Sequence, residues 1–133
     1  MFQINTSVID LLVSTLNGVG ITTIYIKDFK SVDVQRWGMV SVLEMQTVSP
    51  IIIGKNTYNK YSFKLHYRDM DMETGFLMRD KAVKDKIMFQ IIGSSIMYGG
   101  VVVGMDIYTD YSPMTTVRGI AWVNYTIEVW VSY

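Results

Sequence analysis

The chain has 133 residues, the length of one domain with a single real core. Half of its residues are hydrophobic and only 18% are charged, which excludes a disordered chain and leaves few charges to coat a monomer. Twelve basic residues balance twelve acidic ones and there is no cysteine, so the sequence carries neither the basic footprint of a nucleic-acid binder nor the means for disulfides or thiolate zinc sites.

The opening Met-Phe-Gln-Ile-Asn lacks the basic region of a signal peptide, and no apolar run approaches membrane-spanning length. Asn5, Thr6 and Ser7 then offer helix N-caps, with Asp10 in the first turn. Ile9, Leu12, Val13 and Leu16 follow at helical spacing, and Gly18 and Gly20 supply the stop. This predicts an amphipathic helix of about eleven to thirteen residues.

Ile21 to Phe29 is rich in β-formers and reads as a strand, and Lys30 to Trp37 is a polar connection. Met39 to Thr47 reads as a second strand, broken by Ser49-Pro50. Ile51 to Ile53 begins a third, and Gly54 to Asn59 is a turn cluster. Tyr61 to Arg68 returns with clean alternation: Tyr61, Phe63, Leu65 and Tyr67 against Ser62, Lys64, His66 and Arg68. A long helix is expected next, its buried stripe traced by Phe76, Val83, Ile87 and Ile91 and widened by Leu77, Met88 and Ile92. Its opposite face carries Arg79, Asp80, Lys81, Lys84, Asp85 and Lys86, with Asp80 and Lys84 in the favourable i,i+4 order.

Val101 to Tyr111 predicts a strand with Val101, Val103, Met105, Ile107 and Tyr111 on its apolar row, and Ser112 to Arg118 a loop around Pro113. The last fifteen residues, Gly119 to Tyr133, hold the strongest pattern in the chain. Ala121, Val123, Tyr125, Ile127, Val129, Val131 and Tyr133 form one apolar row, and Ile120, Trp122, Asn124, Thr126, Glu128, Trp130 and Ser132 the other, mixed one. Fully extended, this strand would span roughly 45–50 Å. A domain of this size is only about 36 Å across, so the strand must bend, bulge or run past its own domain. The element order predicts an α+β protein: a single antiparallel β-sheet, an N-terminal helix and one long helix packed on one face, and a closing C-terminal β-hairpin. Residues 1–133 read as a single domain without repeats or linkers.

No catalytic constellation emerges. His66, the only histidine, falls on the polar row of its strand and reads as a solvated residue. Asp69, Asp71 and Glu73 space oxygens like the start of a calcium loop, but Gly75 sits one place late and Asp80 stands where a glutamate is required. Acids ahead of a helix also complement its dipole. The expectation is therefore a non-enzyme without cofactor or resident metal, with those three acids as the only metal candidates. Trp122 and Trp130, eight residues apart on the mixed row of the last strand, are either covered by a second layer or form an intersubunit contact. With Glu128 between them and Tyr108 on the preceding strand, they are the candidate oligomer-interface residues.

In length and element order the chain resembles the tail terminator (tail completion, head–tail joining) proteins of long-tailed bacteriophages. The shared plan is an N-terminal helix, a run of strands, a long helix after the strand at Tyr61–Arg68, and a closing hairpin. The resemblance implies a virion structural protein, made in the host cytoplasm, whose hexameric ring caps the tail tube and joins it to neck and head proteins. It implies DNA only as cargo passing through the lumen, lined for example by Lys55, Lys60, Lys64 or Arg118, no membrane, and no catalytic residue to carry over. Rival expectations are another small phage neck or connector protein, or a small α+β ligand-binding domain whose sheet–helix pocket is lined by Tyr61, Phe63 and Tyr67.

Overall fold

The computed structural model describes residues 6–27, 41–67, 81–117 and 120–133, with side chains left aside at 81–82, 109–117 and 120–123. Helix α1 (Val8–Gly18) is started by Ser7, whose hydroxyl accepts a hydrogen bond from the Asp10 N–H at 3.0 Å. Strand β1 (Thr23–Tyr25) follows, pinned to the end of α1 by the Asn17 side chain, which accepts from the Thr23 N–H at 2.9 Å. Strands β2 (Ser41–Ile53) and β3 (Asn56–Tyr67) form a long hairpin. Helix α2 (Lys81–Ile91) leads to the two-residue strand β4 (Ser95–Ile96) and a 3-10 turn at Met97–Gly99. Strands β5 (Gly100–Val117) and β6 (Ile120–Ser132) pair antiparallel along most of their length.

The six strands lie in the order β1-β2-β3-β6-β5-β4. This corrects the expected architecture. The sheet is mixed, because β1 runs parallel to β2, with Thr23 opposite Ser41. It is also curled into a half-barrel and supplies most of the structure, with two short α-helices among the described residues rather than a long one. The described part of the second helix has eleven residues, no longer than α1. Phe76, Leu77, Arg79 and Asp80 lie outside the described residues.

The curl has a local source. Register shifts fall between Met45 and Thr47 in β2, and between Val102 and Gly104 and between Thr109 and Met114 in β5. Extra residues in one strand of a pair bend it and increase its twist. The β3–β6 ladder between them runs nine pairs, from Asn59 opposite Val131 to Tyr67 opposite Val123, without a break.

Two predicted breaks are absent. Pro50 sits inside β2 opposite Asn59. It is tolerated because β1 pairs only with Ser41 to Leu43, so among the described residues the other edge of β2 is open at Pro50 and no ladder needs its missing N–H. Pro113 likewise lies within β5, at the irregularity between Thr109 and Met114. The shift near Val103 also changes the phase of β5: Val102, Met105 and Ile107 are buried, whereas Val101 and Val103, expected on the apolar row, are exposed.

One hydrophobic core unites these elements. Leu12 and Leu16 from α1 and Ile87 and Ile91 from α2 meet Leu43, Phe63, Leu65, Tyr125, Ile127, Val129 and Val131 from the sheet. Tyr67 meets Tyr125 edge-on, with ring centroids 6.2 Å apart and planes at 74°. Lys84 of α2, read as a solvated residue, instead places its Nζ 6.0 Å from the centre of the Tyr125 ring.

Candidate functional site

Among the described residues three regions hold side chains with chemistry to offer, and each is set by strand register. The first is the sheet face opposite the core. Ser62, Glu128 and Asp106 stand abreast there, as do Lys60, Trp130 and Gly104. Glu128 is the hub: its Oε1 accepts from the Tyr108 hydroxyl at 2.8 Å and lies 3.6 Å from Lys60 Nζ. Trp130 is half-buried and lies across Gly104, where a Cβ would stand 3.4 Å from the Trp130 Cε3. An aromatic ring over a glycine on the neighbouring strand covers backbone the glycine leaves bare.

Three of the four candidate interface residues, Tyr108, Glu128 and Trp130, therefore share one patch. Trp122 belongs to the same strand, with its backbone opposite Thr115, and its side chain is not among those described. Lys60, a candidate lumen residue, is engaged with Glu128, while Lys55 sits in a hairpin turn on another part of the surface. Lys64 is half-buried opposite Thr126. Arg118 lies outside the described residues.

The second region is further along the same face. His66 is only 5% exposed and Asn124 only 1%, and Val42 beside them is fully buried. His66 Nδ1 lies 3.0 Å from Asn124 Oδ1 and its Nε2 lies 3.6 Å from Glu44 Oε1. The expectation of a solvated His66 is thus overturned. Alternation placed it correctly opposite the apolar row, but in a curled sheet both faces can be covered. Burial lowers the His66 pKa below its ordinary 6.5, against the opposing pull of the Asn124 hydrogen bond and the Glu44 charge. Ser41 of β2 is two positions from Leu43 and so falls on the core face, opposite to the face that carries His66.

The third region lies on the core side at the end of the sheet. Ser7, Val8 and Ile9 of α1, Met45, Tyr61, Ile96, Met97, Tyr98 and Tyr133 line an apolar cleft of about 140 Å³. The Tyr61 and Tyr133 hydroxyls meet at 2.6 Å. Partial burial, and then that hydrogen bond, push the Tyr133 pKa up to about 12. Tyr98 is 88% exposed and holds a left-handed backbone (φ 62°, ψ 26°) that an aromatic residue rarely adopts. Of the residues expected to line a sheet–helix pocket, Tyr61 lines this cleft, whereas Phe63 and Tyr67 are buried in the core.

Beside the cleft the β2–β3 hairpin leaves the sheet. The β3–β6 ladder ends at Asn59, whereas β2 and β3 stay paired through Ile51–Tyr58, Ile52–Thr57 and Ile53–Asn56. A two-residue turn, Gly54-Lys55, closes the arm, and the positive φ of Gly54 (63°) suits a II′ hairpin. Ile52 is 74% exposed, and Ile53 is exposed on the opposite side. Exposed apolar side chains recur at Phe89 on α2 and at Ile92 just after it. Nothing in the sequence pattern marks the arm, because what sets it apart is that no third strand pairs with it among the described residues.

Asp69, Asp71 and Glu73 lie outside the described residues, and among the described residues no group of three potential metal ligands assembles. No described helix is long and apolar enough to cross a membrane. No protein-family model matches the chain, and no curated protein matches it.

Proposed function

We propose that the chain is a non-enzymatic virion structural protein of the tail terminator kind, assembling as a homo-oligomeric ring that caps a tail tube and joins it to the neck. The supporting observation is the apolar surface left outside the core. Ile52, Ile53, Phe89, Ile92, Tyr98 and Tyr108 are all exposed on a chain with few charges. Surface of that kind marks contact with other proteins. Long, open sheet edges support the same reading: among the described residues β1 covers β2 only at Ser41 to Leu43, and β4 covers β5 only at Gly100 and Val101. A cyclic ring uses two different surfaces of each subunit, and such a chain offers several.

Among the described residues the cleft at the end of the sheet measures about 140 Å³, below the roughly 300–1,000 Å³ of small-molecule sites, so this cleft lends the ligand-binding alternative little support. Light scattering on a sizing column, at several concentrations and two salt levels, tests the proposal. A stable particle near six protomers, annular in negative stain, is the expected result. A strict monomer under every condition, with a melting temperature raised by a small ligand, would overturn it in favour of the binding-domain reading.

A further inference from the structure

The arm and the cleft are complementary in kind: one is a projecting ribbon that exposes Ile52 and Ile53, the other a concave apolar slot. A two-stranded ribbon is marginal in water without a third strand or a covering layer. Among the described residues no third strand pairs with the segment Ile51–Tyr58, and its Ile52 is the most exposed branched aliphatic residue described. The arm cannot fill its own cleft. Met45 and Tyr61 of the cleft lie on the strands that continue into the arm, so the ribbon leads away from them.

Charge fits as well. The exposed Lys55 occupies the tip turn, and the exposed Asp10 stands in the first turn of α1, next to Ser7, Val8 and Ile9 of the cleft wall. A second copy that seats its tip in the cleft brings this cation to this acid. Tyr98, held exposed at the cleft rim, supplies the flat aromatic surface such a tip would pack against.

We infer that the β2–β3 arm of one subunit inserts Ile52 into the cleft between α1 and the end of the sheet of a second copy of this chain. The inference rests on the ring reading for its biological setting, but its contact is tested separately. The arm and the cleft are two different surfaces of the subunit, and contact between unlike surfaces is the head-to-tail relation that can close into a ring.

The chain has no cysteine, so two single variants report the contact directly. Ile52→Cys protein is mixed with Ile9→Cys protein under mild oxidation, with Ile52→Cys plus Ile92→Cys as the control pair. The expected result is a disulfide-linked dimer from the first mixture in clear excess over the control. Ile52→Glu, on an exposed site that the core does not need, is expected to weaken self-association about tenfold or more, and Lys55→Glu with Asp10→Lys to restore part of what either alone removes. Absence of the Ile52–Ile9 product overturns the inference whatever the particle mass. If the protein still forms annular particles, the ring reading stands and the arm is not its contact. If it is monomeric and binds a different protein through the cleft, a foreign partner is the occupant and both readings fall.

Discussion

His66 and Asn124 face each other across the β3–β6 ladder, Nδ1 to Oδ1 at 3.0 Å, both buried on the sheet face opposite α1 and α2. The pair fixes a pH dependence. Burial lowers the His66 pKa in the folded state, so between the folded value and the ordinary 6.5 the unfolded chain binds more protons. The stability that neutral His66 contributes is complete above pH 6.5 and declines as pH falls through the lowered folded pKa. Calorimetric melting temperatures should therefore drop between pH 7 and pH 5, and His66→Gln should flatten that part of the curve. An unchanged slope in the variant would show that His66 does not titrate as described. Asn124→Ala should cost on the order of 1–3 kcal/mol, the usual penalty for stripping a partner from a buried polar group.

Gly100 and Gly104 should answer alanine differently. A Cβ on Gly100 would come within 2.7 Å of Ile96 Cγ1 and 2.9 Å of Tyr133 Cε1, whereas on Gly104 its nearest contact is Trp130 at 3.4 Å. Gly100→Ala should destabilise by about 1–3 kcal/mol through overpacking. Gly104→Ala should stay close to wild type. Urea midpoints for both variants, at constant m, decide the point.

Tyr108, Glu128 and Lys60 form a chain of contacts on a partly exposed face. Tyr108→Phe should cost about 0.5–1.5 kcal/mol. Lys60→Ala should cost under about 1 kcal/mol and less in high salt, as for a solvated ion pair. A double-mutant cycle between Tyr108→Phe and Glu128→Gln should show coupling, and additive effects would mean the hydrogen bond contributes nothing net.

Tyr98 bears backbone strain without burial to compensate it. Tyr98→Asn, which tolerates the left-handed region, should raise stability by about 0.5–1 kcal/mol in chemical denaturation. If the aromatic ring is kept for contact with a second copy, the same variant should associate more weakly while melting higher.

The sequence carried the parts of this fold that depend on near neighbours. Ser7 as cap, the helical spacing through Leu16, and the alternation from Tyr125 to Val131 all correspond to observed burial. What it hid depends on partners far along the chain. Pro50 looks like a strand breaker until β2 is known to have an open edge, and Val101 and Val103 look buried until the register shift beside Gly104 is known. The parallel β1–β2 pairing leaves no periodic trace at all. Tyr108, Glu128 and Trp130 could be grouped because they lie on adjoining alternating strands. The arm and cleft could not, because protrusion and concavity are properties of the assembled sheet.

The strand order has a consequence for how the protein comes into being. β6 lies between β3 and β5, yet it follows both in the chain. During synthesis, α1, the β2–β3 hairpin and α2 leave the ribosome well before the strand that joins them to β5. Until β6 emerges, the inner edges of β3 and β5 both wait unpaired, and the nascent chain holds two half-sheets with apolar faces uncovered. Its completion is one late, non-local step, of the kind that folds slowly and favours association with whatever strand is nearest. In a cell crowded with identical nascent chains, the rate at which β6 docks sets how much of the protein reaches its folded state instead of an aggregate.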